Sequence, residues 1–263
     1  MEVTFRIKRF NPEIDVKAEY REYVVDVEPT DRVLDALFRI KWYQDGSLTF
    51  RRSCAHGICG SDAMRINGRN RLACKELMLD YGSKITIEPL LGFQVVKDLV
   101  VDMTRFFDAY KSVSPFLIAD EAPTGRERLQ SPEDRDKFED TTKCILLRGM
   151  HDRVPDYLDD RSVRRPGRDR QCAPVHLRQP RSGGAQRLKV LNERSGVWRC
   201  RTIFNCTEAC PRDIEITKAI EEVKARTALR QGRLGRIRNL YVPNRIGYSM
   251  LRRIDLSARL LHG

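Results

Sequence analysis

The sequence predicts an α+β protein of two domains, a sheet-rich N-terminal one followed by a helical one. Three observations carry this. Apolar and polar residues alternate near the start, as at Val3, Phe5 and Ile7, whereas Ile216, Ala219, Ile220 and Val223 recur at helical spacing near the other end. Each half also contains a dense run of cysteines. A length of 263 residues suits two domains, and an apolar fraction of 41% is enough for ordinary cores.

In chain order, the first strand spans Val3, Phe5 and Ile7, and Tyr23 to Val27 reads as the second. Thr30 or Asp31 is expected to cap a helix with Val33, Leu34, Leu37, Phe38 and Trp42 near one face. Ile85 to Pro89 reads as a further strand. Toward the far end, Pro211 is placed to turn the chain into a helix over Ile214 to Lys224, because it lacks an N–H and has a fixed φ.

No stretch approaches the roughly 18 consecutive apolar residues of a membrane span, and MEVTFRIKRF lacks the apolar core of a secretory signal. The chain is therefore expected to be soluble and cytosolic. Its formal charge of +12 would ordinarily point to nucleic acid or an acidic membrane, but the excess is local. Residues 147–183 hold nine arginines against five aspartates, and residues 225–263 hold nine against Asp255 alone. These two segments account for the whole excess.

Eight cysteines, at 54, 59, 74, 144, 172, 200, 206 and 210, in a chain with no export signal favour metal ligation over disulfides. Cys54 and Cys59 stand in a C-x4-C-x2-D run that ends at Asp62, with Cys74 further on. The spacing matches the plant-type 2Fe-2S pattern C-x4-C-x2-C with a distant fourth cysteine. Asp62 takes the third position, where a carboxylate oxygen can bind iron in place of a thiolate with the same negative charge. Cys54, Cys59, Asp62 and Cys74 are thus the candidate 2Fe-2S ligands. Gly57 and Gly60 permit the tight turns that aim peptide N–H groups at sulfur. His56 reads either as a redox-tuning neighbour or as a solvated loop histidine. Strand, strand, helix, cluster loop, strand is the order of a β-grasp ferredoxin.

The second run is Cys200-x5-Cys206-x3-Cys210-Pro211, whose end resembles the close of the bacterial ferredoxin run C-x2-C-x2-C-x3-C-P. With SCAHGICGSDAMRINGRNRLAC, KDLVVDM, ERLQSPEDRDKFEDTTKCIL and VWRCRTIFNCTEACPRDIEITKAI, the chain resembles the iron-sulfur subunits of succinate dehydrogenase and fumarate reductase over residues 1–146 and 184–224. The resemblance implies a β-grasp 2Fe-2S ferredoxin domain (1–105) followed by an α-helical ferredoxin domain (106–224) with 4Fe-4S and 3Fe-4S clusters. It implies that Cys144 and Cys210 serve 4Fe-4S and that Cys200 and Cys206 serve 3Fe-4S. It further implies electron relay between FAD in a flavoprotein subunit and membrane quinone, with the chain held peripherally at the cytoplasmic face by membrane-anchor subunits. By the same resemblance the chain itself is expected to make no bonds and to be the electron carrier of an enzyme of the tricarboxylic acid cycle, with no nucleic-acid partner.

The family's run C-x2-C-x2-C-x3-C-P is broken here after Cys144, with Leu147, Met150 and Val154 at the other three positions. We read residues 147–183 as out of frame. Methionine is ATG and histidine begins CA, so a one-nucleotide shift across Met150-His151 yields TGC, a cysteine codon. CTG for Leu147 and GTG for Val154 give the same codon at their junctions with Arg148 and Pro155. A second shift after Lys224 would make 225–263 an out-of-frame, poorly ordered tail. Out-of-frame high-GC sequence is rich in arginine, which accounts for both charge blocks. Cys172, His151 and His176 are then accidents of frame. As written, the chain is expected to assemble 2Fe-2S and only remnants of the other sites. The alternatives are an autonomous 2Fe-2S carrier with a basic interaction region, and an iron-sulfur protein that binds nucleic acid.

Overall fold

Alternation at the N-terminus becomes β1 (Glu2–Arg9), which buries Val3, Phe5, Ile7 and, last in the series, Arg9. The chain returns as β2 (Glu19–Asp26), antiparallel to β1 from Glu2 opposite Asp26 to Arg9 opposite Glu19. There follow α1 (Val33–Tyr43), the hairpin β3 (Ala63–Ile66) and β4 (Arg69–Leu72), and β5 (Lys84–Glu88). The sheet order is β2-β1-β5-β3-β4, with β1 and β5 parallel. Val33, Leu34, Ala36, Leu37 and Ile40 of α1 share one core with Val3, Phe5, Ile7, Ile85 and Ile87. Each such side chain contributes about 1.5–3 kcal/mol by leaving water.

A two-stranded ribbon follows, β6 (Val95–Lys97) with β7 (Val100–Val101). Among the described residues the helices that follow are α2 (Thr104–Ser112), α3 (Pro132–Thr142), α4 (Gly184–Leu191), the single turn α5 (Asn205–Glu208) and α6 (Ile216–Arg230). The hairpin β8 (Leu240–Asn244) and β9 (Gly247–Leu251) comes last. The protein is described by a computed structural model covering residues 1–116, 118, 125, 130–147, 184–193, 196–230, 240–244 and 247–251. Met150, His151, Val154, Cys172 and His176 lie outside the described residues. Among those described, no helix is long and apolar enough to cross a membrane.

The chain divides into two compact units. The first contains Met1–Ala109, residues 143–147 and Asn205–Ile214. The second contains the described residues of 110–142, 184–204 and 215–251. In the second unit, Arg187 is buried and donates to the carbonyls of Ser114 and Phe116 at 2.9 and 2.6 Å, capping the chain that leaves α2.

Three local expectations are corrected. The residue before α1 is Arg32, not Thr30 or Asp31, because Asp35 accepts the Arg32 N–H at 3.0 Å. Asp31 is engaged elsewhere, accepting the Glu28 N–H and pairing with Arg39. Trp42 is 66% exposed, since the buried stripe runs through Ala36 and Ile40 and a tryptophan two positions later falls off it. Pro211 sits in a turn ahead of α6, which begins at Ile216, where Asp140 of α3 accepts the Glu215 N–H at 2.9 Å.

Candidate metal centre

The segment between α1 and β3 carries Cys54 and Cys59 on a loop wound by left-handed turns at Ala55 (φ 59°), Gly57 (φ 81°) and Gly60 (φ 68°). Each such residue turns a peptide N–H inward. The Cys54 sulfur accepts the N–H groups of His56, Ile58 and Cys59 at 3.5, 3.4 and 3.3 Å. These donors lower the Cys54 pKa to about 6, so the group is a thiolate at neutral pH. The Cys59 sulfur receives the Cys54 N–H at 3.4 Å and lies 3.1 Å from the Ser61 hydroxyl oxygen.

Asp62 and Cys74 form the other half. Asp62 is 2% exposed at the entrance to β3, and Cys74 is fully buried just after β4, so the β3–β4 hairpin brings them together. The Cys74 N–H donates to Asp62 Oδ2 at 2.5 Å. Burial pushes the Cys74 thiol up to about 12, and the Asp62 carboxylate beside it adds to the rise, while the Gly57 N–H opposes it. The structure thus gives two pairs, Cys54 with Cys59 and Asp62 with Cys74.

Two pairs suit a 2Fe-2S cluster, in which each iron takes two protein ligands and two sulfides. Among the described residues no three His, Cys, Asp or Glu side chains gather as a site for a single ion. His56 directs Nδ1 to the Cys54 carbonyl oxygen at 2.7 Å, so that nitrogen carries the proton.

The inner side of the loop faces a cavity of about 410 Å³, lined by Cys59 to Met64, Leu90, Leu99, Val101 and the backbone stretch Ile145 to Leu147. A Cβ on Gly60 would stand 2.8 Å from the Leu147 Cβ and 3.0 Å from the Ile145 carbonyl oxygen. Gly60 therefore serves two ends, the turn and the close approach of the chain that follows Cys144.

Cys144 and Cys210 are neighbours in the first unit. Burial raises the Cys210 pKa, the N–H groups of Ile214 and Arg212 oppose the rise, and Cys144 adds to it. Cys206 is buried on α5 in the same unit. Cys200 belongs to the second unit, where the Lys224 ammonium, paired with Glu221, donates to its carbonyl at 2.9 Å. Leu147, which the resemblance sets at the place of a second cysteine, is 9% exposed within the N-terminal core. A buried alkyl group cannot ligate iron, so the described residues do not complete a 4Fe-4S or 3Fe-4S donor set.

Sequence reasoning missed Ser61 and the approach of Ile145–Leu147 to Gly60. For Ser61 the signal was present, a hydroxyl between two ligand positions in Cys59-Gly60-Ser61-Asp62.

Residues 4–108 match the family described as a 2Fe-2S iron-sulfur cluster binding domain. The chain is 35% identical over 232 residues to the succinate dehydrogenase iron-sulfur subunit of Coxiella burnetii, covering 84% of this chain and 95% of that protein. It is 39% identical to the mitochondrial succinate dehydrogenase [ubiquinone] iron-sulfur subunit 1 of Oryza sativa subsp. japonica, covering 84% and 80% respectively. Among solved structures, a chain of the Mycobacterium smegmatis Sdh1 complex in the apo form superposes with a TM-score of 0.74 at 28% identity. That match covers 88% of this chain and 97% of the other.

Proposed function

Because the chain belongs to the family of succinate dehydrogenase iron-sulfur subunits, we propose that Cys54 and Cys59 hold one iron and Asp62 and Cys74 the other iron of its 2Fe-2S centre. The chain is an electron-transfer subunit of an oxidoreductase and works within a multi-subunit complex. Membership over 84% of the chain favours this over an autonomous carrier. The observation that carries the ligand assignment is the contact of the four side chains in two pairs, Cys54 with Cys59 on the loop and Asp62 with Cys74 across a hairpin.

A 2Fe-2S cluster supplies reversible one-electron transfer. The protein's part is to hold charge and exclude water. Peptide N–H groups of His56, Ile58 and Cys59 offset the negative charge of the Cys54 thiolate. Asp62 and Cys74 face the core, with Met64, Leu90, Leu99 and Val101 nearby as an apolar wall.

The two sides of the loop differ. His56, Ile58 and Cys59 are exposed, which suits electron entry from FAD in a docked flavoprotein subunit. Gly60 abuts the stretch leading back to Cys144 and Cys210, which suits exit toward membrane quinone. Peripheral attachment through membrane-anchor subunits at the cytoplasmic face completes the proposal. The residues as written do not fit 4Fe-4S or 3Fe-4S, so no onward step is drawn through either. The frame shifts inferred for 147–183 and 225–263 are part of this proposal.

Co-expression with a flavoprotein subunit of the family tests the role. The expected result is a complex in which succinate reduces the 2Fe-2S centre. A chain that carries the signal but remains free would support the autonomous carrier.

A further inference from the structure

Resting on the 2Fe-2S assignment, we propose that Ser61 is a positioning residue whose hydroxyl donates to the Cys59 sulfur and raises the reduction potential of the centre. The two atoms lie 3.1 Å apart. An iron-bound thiolate has no proton to give, so the hydroxyl donates and the sulfur accepts. The geometry follows from the loop. Gly60 at φ 68° folds the chain back after Cys59, and that turn brings the next side chain over the preceding sulfur.

The other donors to the Cys54 and Cys59 sulfurs are peptide N–H groups of His56, Ile58 and Cys59, and of Cys54 itself. A non-proline side-chain substitution leaves such donors in place. Ser61 supplies a donor that substitution removes. Reduction adds negative charge to the cluster and its sulfurs, so a donor at sulfur stabilises the reduced form more than the oxidised one. Because Cys59 is exposed, water replaces part of a lost bond. The effect is bounded at about tenfold in the reduction equilibrium constant, about 59 mV for a one-electron couple.

The test is a redox titration, followed by paramagnetic resonance, of the full chain reconstituted anaerobically with iron and sulfide. Ser61→Ala should titrate at a lower potential than the parent, with the 2Fe-2S signal retained, and Ser61→Thr should stay at the parent potential. A Ser61→Ala potential equal to the parent's overturns the proposal while leaving the ligand assignment standing. A parent without a 2Fe-2S signal overturns both. Should Ser61→Ala fail to load, Ser61→Gly makes the same comparison. If neither loads while Ser61→Thr does, the hydroxyl serves assembly and the proposal on potential is wrong.

Discussion

Arg9 and Asp98 form an ion pair inside the first unit, Nε to Oδ1 at 2.9 Å, with side-chain exposures of 6% and 2%. The alternation that buries Ile7 also buries Arg9, and Asp45, Ser47 and Tyr23 take its remaining N–H groups. Asp98 also accepts the N–H groups of Phe10 and Thr49 at 3.0 and 2.8 Å, anchoring the stretch that runs on to Cys54. Its φ of 47° is one that Asp and Asn tolerate. Removing one partner of a buried pair strands the other, so Asp98→Ala should cost about 3–5 kcal/mol in urea unfolding. Asp98→Asn keeps the turn and should cost less.

The same network sets a dependence on acid. Burial works against the Asp45 charge, but hydrogen bonds from Ser47, Tyr23 and Arg9 hold its carboxyl below the ordinary carboxylate range. A group depressed on folding stabilises the protein above its unfolded pKa, about 3.9 for Asp. Urea midpoints should therefore be flat above about pH 5 and fall as the pH drops below about 4. Asp45→Asn should flatten part of that fall.

In the metal-free protein, Cys54 and Cys74 should react with iodoacetamide in opposite fashion. The thiolate is the nucleophile, so alkylation of Cys54 should be half-maximal near pH 6, whereas buried Cys74, with its pKa at about 12, should stay unmodified at neutral pH. Peptide mapping after brief alkylation measures this. A Cys54 profile centred near an ordinary cysteine's pKa of about 8.5 would contradict the role given to the three N–H donors.

Asp62 should behave as a ligand and not only as an acceptor for the Cys74 N–H. Asp62→Ala leaves the second iron with Cys74 alone and should reduce bound iron to near background. Asp62→Cys restores a thiolate in the C-x4-C-x2-C pattern and should keep the cluster with an altered resonance spectrum. Full iron content in Asp62→Ala would remove Asp62 from the ligand set.

Much of the first unit was legible in the sequence, and the remainder was not for identifiable reasons. β1, β2, β5 and the buried side of α1 follow from alternation and helical spacing. The β3–β4 hairpin was overlooked because each strand has four residues and Arg65, Arg69 and Arg71 interrupt the apolar pattern. Its signal was Asn67-Gly68, both at positive φ as a tight hairpin turn demands. Spacing gave the four candidate ligands, but not that they divide into pairs, which depends on that hairpin. The partner of Arg9 lies eighty-nine residues away, beyond any local pattern.

The interruption after Cys144 yields a prediction outside the folded structure. Sequencing of the coding DNA and peptide mass mapping of the native protein should show one-nucleotide shifts near codons 146, 183 and 225. The corrected reading should place cysteines at positions 147, 150 and 154. DNA that confirms Leu147, Met150 and Val154 as written would establish a chain confined to the 2Fe-2S centre.

Iron and acid-labile sulfide analysis of the full chain, combined with its resonance spectrum after reduction, bears most directly on the claim that Cys54, Cys59, Asp62 and Cys74 hold a 2Fe-2S cluster. The expected result for the sequence as written is about two irons and two sulfides per polypeptide with a signal from one reduced 2Fe-2S centre. Absence of iron and sulfide after anaerobic reconstitution of folded protein would contradict it.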